Sequence, residues 1–197
     1  MALSTRSLAP YRARAGARVR RDDARRSRAS VRARHASHEH VYAYETIDLG
    51  RTREGTDFID LSAHISRAIA ASGVREGTVH VVSRHTTTAV TINESEERLI
   101  DDARMYFSRL APATDFYLHN DLDRRYGPKD WPGGDDAWRK QEPKNCHSHL
   151  LSMLIGNSVS VPVSEGKTTL GRWQSVMFVE LDGPRERTVG IQVVGIK

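Results

Sequence analysis

The sequence predicts an α+β domain, a mainly antiparallel sheet packed by two or three helices. β-Branched or alternating segments cluster toward both ends of the folded part, at 41–49, 79–93, 158–163, 170–181 and 188–194. Segments with apolar residues at helical spacing lie between these groups of strands. There is no βαβα alternation, so the strands are expected to pair antiparallel.

At 197 residues the chain has room for one domain, 39–197, and a tail, 1–38. Residues 1–37 carry eleven arginines against Asp22 and Asp23, more than the whole chain's formal charge of +5. The remainder is therefore net acidic, which argues against a nucleic-acid partner for the folded domain. The tail is rich in Arg, Ser and Ala and lacks a hydrophobic signal core. That is the composition of an organelle transit peptide, and it suits a plastid or a mitochondrion alike. A basic arm touching nucleic acid through phosphates is the rival reading. Cys146 is the only cysteine, so no intrachain disulfide can form. No apolar run reaches the length of a membrane span, and no membrane partner is expected.

In chain order, VYAYETIDL at 41–49 alternates as a strand; a turn at 51–55 and a short strand around Phe58 follow. Leu61, Ile65, Ala68 and Ile69 then mark a helix over 60–72, with Asp60 as its cap and Gly73 closing it. VHVVSRHTTTAVTIN at 79–93 reads as one long strand, or two joined by a bulge. Asn93, with Glu96 three residues on, is the expected start of a helix that ends before Pro112. A short strand at 116–119 leads into 121–143, a charged Gly/Pro-rich loop bearing Trp131 and Trp138. On a helix over 145–156, Asn145, His149, Ser152 and Gly156 form one narrow polar or small stripe. The remaining positions are largely apolar, so this helix is expected to be buried on nearly all sides, its stripe facing polar partners. Strands at 158–163, 170–181 and 188–194 are joined by turns at 164–167 and 182–184.

Chemistry is carried first by histidines. His85, His119 and His149 are candidates for a three-nitrogen metal site with an open position, holding a divalent ion such as zinc or magnesium. The alternative is three hydrogen-bonded structural histidines. His147 lies about 200° around the helix from His149 and is expected toward solvent. The hydroxyl run Thr86-Thr87-Thr88 suits an anion, although threonine runs are also ordinary strand sequence. Glu94 is either an acceptor that orients a histidine or a first-turn acid favoured by the helix dipole. If 170–181 is a single strand, Arg172, Gln174 and Glu180 share a face, with Trp173 opposite them in the core. The planar fork of Arg172 suits phosphate or carboxylate, with a surface salt bridge as the alternative. Gly166-Lys167-Thr168 imitates the end of a P-loop, but Val161 stands where the first glycine belongs, so it reads as a hairpin turn.

Together, HTTTAVTINE from His85, LHND around His119, NCHSHLLSMLIG, and VPVSEGKTTLGRWQSVMFVELDGPRER resemble the YjbQ family over about 43–197. Members of that family are described as secondary thiamine-phosphate synthases. The resemblance implies a compact α+β domain, a homotrimer, and a pocket around the matched histidines. The implied reaction condenses a pyrimidine pyrophosphate with a thiazole phosphate, so the expected partner is a small phosphorylated metabolite. The matched positions are His85, Thr86, Glu94, His119, Asn145, His149, Gly171, Gln174, Glu180 and Arg185. Combined with the residue chemistry, the expected catalytic groups are His85, Glu94, His119 and His149. Thr86, Asn145, Arg172 and Gln174 are the expected substrate-binding groups. Two alternatives stand beside this: a metal-assisted hydrolase or transferase acting on another phosphorylated metabolite, and a trimeric metabolite- or metal-binding protein without turnover. The 121–143 segment departs from the short bacterial pattern of the family.

Overall fold

A computed structural model describes residues 39–197; the tail read as a transit peptide lies outside the described residues. The order is β1 (His40–Arg51), β2 (Gly55–Asp60), α1 (Ser62–Ser72), β3 (Glu76–Ser83), β4 (Thr88–Asn93), α2 (Glu97–Leu110), α3 (Gly134–Gln141), α4 (Cys146–Ile155), β5 (Ser158–Ser164), β6 (Lys167–Thr168), β7 (Ser175–Gly183) and β8 (Glu186–Ile196). The α+β class and antiparallel pairing are as expected, with four helices instead of two or three and two sheets instead of one. One sheet runs β1-β8-β3-β5-β6 and the other β2-β7-β4.

The second sheet exists because the 79–93 run breaks at Ser83. Ser83 and Thr88 share a hydroxyl–hydroxyl hydrogen bond, and the His85 N–H donates to Ser83 Oγ at 3.3 Å. Such local side-chain bonds replace the strand ladder, and β3 and β4 join different sheets. His85, Thr86 and Thr87 therefore sit in a crossover turn, and strand alternation does not set their directions.

β7 is buried on both faces. Val176 and Phe178 join a core with α1, β3, β5 and β8, while Val179 and Leu181 join a smaller one with Leu151 of α4. Two buried faces explain an unbroken apolar run in an antiparallel strand. β7 begins only at Ser175, because Gly171–Gln174 is a turn closed by the Gly171 N–H donating to Gln174 Oε1 at 2.8 Å. Trp173 is exposed as a result, not in the core as expected.

Three further boundaries differ. Glu96, not Asn93, caps α2, accepting from the Arg98 and Leu99 N–H groups, because β4 runs on through Asn93. The expected strand at 116–119 is instead a 3₁₀ turn, Leu118–Asn120. The 121–143 segment is folded: Trp138 of α3 is buried, and Arg139 Nε donates to the Leu122 carbonyl at 2.9 Å. Gly127 packs so tightly here that a Cβ would lie 2.7 Å from Trp138 Cγ. Glu165 and Gly166, at φ 53° and 75°, form the two-residue tip of the β5–β6 hairpin, which disposes of the P-loop likeness.

α4 reverses the expectation of burial on nearly all sides. Ser152 of the expected stripe faces inward together with Ser148: Ser148 Oγ donates to the Leu181 carbonyl at 2.5 Å and Ser152 Oγ to the Thr88 carbonyl at 2.6 Å. Leu150, Met153 and Leu154 point outward and are 44%, 78% and 66% exposed.

The two sheets are tied together by a buried ion pair. Glu180 on β7 and Arg187 on β8 are 0% and 4% exposed. Arg187 Nε and Nη2 donate to the Glu180 carboxylate at 2.6 and 2.7 Å. Thr52, between β1 and β2, donates to the same carboxylate at 2.8 Å, and Thr87 accepts from Arg187 Nη2 at 2.9 Å. Burial pushes the Glu180 carboxyl pKa up, but the Arg187, Asp182 N–H and Thr52 hydrogen bonds outweigh it and hold the carboxyl below its ordinary value.

Because removing one member strands a buried charge, Arg187→Met should cost about 3–5 kcal/mol in urea unfolding, and the Glu180→Leu/Arg187→Met double variant less. A double variant as unstable as Arg187→Met would contradict this. A depressed carboxyl contributes its stability above the unfolded value of 4.5 and loses it as pH falls through the folded value. Acid unfolding of the wild type below that range should be blunted in the double variant.

Candidate functional site

A cleft of about 290 Å³ opens where the crossover turns meet the start of α4. Thr86 and Thr87 reach it from the β3–β4 turn, Asp182, Arg185 and Arg187 from the β7–β8 region, and Asn145 and His149 from the start of α4. His119 enters from its 3₁₀ turn, and Arg125 and Glu142 from the 121–143 segment.

Two imidazoles form its centre. His119 and His149 stand edge to face, ring centroids 4.7 Å apart and planes at 71°. His119 Nε2 and Asn145 Oδ1 are buried without a hydrogen-bond partner among the described residues. Such orphaned groups are uncommon and point to something the site is built to receive. Burial pushes the His119 pKa down, and the positive charge of Arg125 and the neighbouring His149 push the same way. His119 is thus held as the neutral imidazole, able to take a proton.

Guanidinium groups line the cleft, each anchored by an acid yet keeping donors open. Arg125 Nη2 donates to Glu142 at 3.1 Å, Arg185 Nε to Asp182 at 2.9 Å, and Arg187 is held by Glu180. Among the described residues, Arg125 Nε, both Arg185 Nη groups and Arg187 Nη1 make no hydrogen bond within the chain. Asn145 is oriented by its Nδ2, which donates to Asp182 Oδ2 at 2.7 Å.

Of the residues singled out in the sequence, the fold brings His119, His149, Thr86 and Asn145 together. His85 lies behind this wall, not in it: its Nε2 accepts the Thr188 N–H at 2.9 Å, tying the crossover to β8. Glu94 lines a different, largely apolar pocket between α2 and β7. Arg172 stacks on Trp173, 4.9 Å from its ring centroid, and Gln174 closes the turn before β7; neither lines the cleft. His147, expected toward solvent, is half-buried with Nδ1 unpartnered, and burial lowers its pKa while Asp182 opposes that. Within the chain the expected zinc or magnesium site of His85, His119 and His149 does not fit. The Thr188 N–H occupies His85 Nε2, and no three His, Cys, Asp or Glu side chains gather as a ligand set among the described residues.

Arg187 was missed although a signal existed. In Arg187, Val189, Ile191, Val193 a charge shares the inward face of β8 with core residues, just as Glu180 interrupts the apolar run of β7. Arg125 and Glu142 had no such signal, since contacts within an irregular segment follow no period.

A family profile described as UPF0047 protein YjbQ-like matches residues 45–196. The chain belongs to the YjbQ-like UPF0047 family. A UPF0047 protein of Methanothermobacter thermautotrophicus is 37% identical over 145 residues, 74% of this chain and 87% of that one. One from Archaeoglobus fulgidus is 35% identical over 73% of this chain and 96% of that one. Among solved structures, a YbjQ-like protein of unknown function from Sulfolobus solfataricus P2 matches with a TM-score of 0.67 at 25% identity, covering 80% of this chain and 99% of that one. A hypothetical protein from Aeropyrum pernix K1 matches at 0.63 and 30% identity, covering 78% and 98%.

The depressed histidines make a pH prediction. In NMR imidazole titrations His119, His147 and His85 should all protonate below 6.5; burial is the leading cause for each. The unfolded chain takes up these protons first, so stability falls as pH drops below 6.5 and levels off beneath the folded values. Arg125→Gln should move His119 upward, and an unmoved resonance would contradict the charge argument.

Proposed function

We propose that the protein is an enzyme acting on a small phosphorylated metabolite in the His119–His149 cleft, as a synthase condensing a pyrimidine pyrophosphate with a thiazole phosphate. The observation that carries this reading is the convergence of open guanidinium donors on a pair of contacting imidazoles. In such a condensation the thiazole nitrogen bonds to the pyrimidine methylene carbon while the bond from that carbon to pyrophosphate oxygen breaks. Pyrophosphate leaves with the electron pair, and negative charge grows on its oxygens. Arg125, Arg185 and Arg187 supply fixed donors where that charge develops, and Thr86 adds a hydroxyl. Neutral His119, with Nε2 free, is suited to proton transfer. Asn145 Oδ1 adds an acceptor that can orient an amino group.

The assembly proposed with this function is a homotrimer. The outward Leu150, Met153 and Leu154 of α4 support self-association, because monomers rarely leave large apolar side chains grouped on one helix face.

Purified protein should form thiamine phosphate from the two precursors, read by chromatography. His149→Ala and His119→Ala, still folded by circular dichroism, should each lose about a hundredfold or more in kcat. Full activity in both variants would sink the imidazole assignment, and faster turnover of another phosphoester would sink the thiamine reading. Met153→Glu should shift sedimentation toward the monomer; an unchanged oligomer would remove α4 from the interface.

A further inference from the structure

We infer that Arg125, carried by the 121–143 segment, is a ligand-binding residue of the cleft that exchanges Glu142 for a phosphoryl group of the bound metabolite. The inference rests on the reading of the cleft as a phosphorylated-metabolite site and names the residue that makes it selective for anions. Arg125 is placed with care. Its Nη1 donates to the His119 carbonyl at 2.9 Å and its Nη2 to Glu142 Oε1 at 3.1 Å. Its guanidinium carbon lies 5.1 Å from the centroid of the buried Trp138 ring. These contacts fix the guanidinium plane beside His119 and leave Nε without a partner among the described residues.

Glu142 is the contact that can be given up. The pair is partly open to solvent, with side chains 24% and 21% exposed, unlike the sealed pair of Glu180 and Arg187. A partly exposed ion pair is more readily parted than a sealed one, and a phosphoryl group offers the same planar fork several acceptor oxygens. The His119 carbonyl and Trp138 would continue to hold Arg125 after Glu142 has moved away. A neutral ligand gains nothing by displacing Glu142, so the exchange favours anions. Arg124, the neighbour in sequence, is a contrast: its side chain is 88% exposed, pairs with Asp121 at 3.6 Å, and does not line the cleft.

The test is calorimetric titration of the full chain with inorganic pyrophosphate, before and after single substitutions. Arg125→Gln should weaken binding about tenfold or more, the effect of losing charge-assisted hydrogen bonds. Glu142→Gln removes the competitor and should tighten binding. Arg124→Gln should stay within about twofold of wild type, as befits an exposed charge. A merely structural ion pair makes the opposite forecast for Glu142→Gln, that binding weakens along with Arg125→Gln. That result would overturn the inference, as would unchanged affinity in Arg125→Gln or no pyrophosphate binding by the wild type at millimolar concentration. If tryptophan fluorescence shows that Arg125→Gln has loosened the segment, Glu142→Gln and Arg125→Lys decide, the latter expected to weaken binding by losing the fork while keeping the charge. Pyrophosphate affinities that shift as expected in a protein making no thiamine phosphate would defeat only the thiamine reading. Thiamine phosphate formed with KM and pyrophosphate affinity unmoved by Arg125→Gln would defeat only this one.

Discussion

The ion pair of Glu180 and Arg187 is the constraint on which the rest of the structure depends. Three of the chain's crossings between the two sheets, the shortest ones at 52–54, 84–87 and 184–185, are tied to this pair. Thr52 and Thr87 bond to it through their hydroxyls, and the 184–185 turn directly joins the strands that carry it. Two charges buried this far face a large desolvation penalty, tolerable only when every lone pair is used. Glu180 meets that condition, taking donors from Arg187 and Thr52 and from the Leu181 and Asp182 N–H groups. The arrangement fixes register between sheets that share no ladder. Arg187 also lines the cleft, with Nη1 unused by the pair, so one guanidinium holds the fold and forms a wall of the site.

α4 follows from the same geometry. Where β4 starts and β7 nears its end, the Thr88 and Leu181 carbonyls are met by a side chain of α4. Serine is small enough to let the helix approach and supplies the donors that leucine lacks. Ser148 and Ser152 are one helical turn apart, which turns this polar face inward and leaves Leu150, Met153 and Leu154 outside. His149, beside Ser148, is thereby brought to the cleft against His119. Large apolar side chains grouped on the outer side of one helix are uncommon on a monomer.

Most of the strand pattern was legible in the sequence, because period two survives wherever one face of a strand is buried. It failed where local chemistry overrides the period. The run at 79–93 is β-branched throughout, yet Ser83 and Thr88 bond to each other across a turn that no propensity reveals. Reading 170–181 as one strand put Arg172 and Gln174 beside Glu180, and the turn closed by Gly171 and Gln174 separates them. His149 and Asn145 were legible by their places on the α4 stripe, and His119 as a histidine near a segment junction. His85 was legible for the same reason but serves the backbone of β8, a use that residue type alone does not distinguish from ligation.

Charge in the cleft is compensated pair by pair, and that governs how it can recognise an anion. Arg125, Arg185 and Arg187 each face a carboxylate, so the lining is far from a bare cationic basin. Long-range attraction should be weak, in keeping with the acidic balance of the residues beyond the tail. What remains is direction. Donors held by Glu180 and Asp182 cost little to organise when a ligand arrives, and the energy withheld from steering is recovered at contact. The acids are therefore part of the recognition machinery. Glu180, sealed at the base, makes Arg187 immovable; Glu142, at the rim, leaves Arg125 a choice of partner.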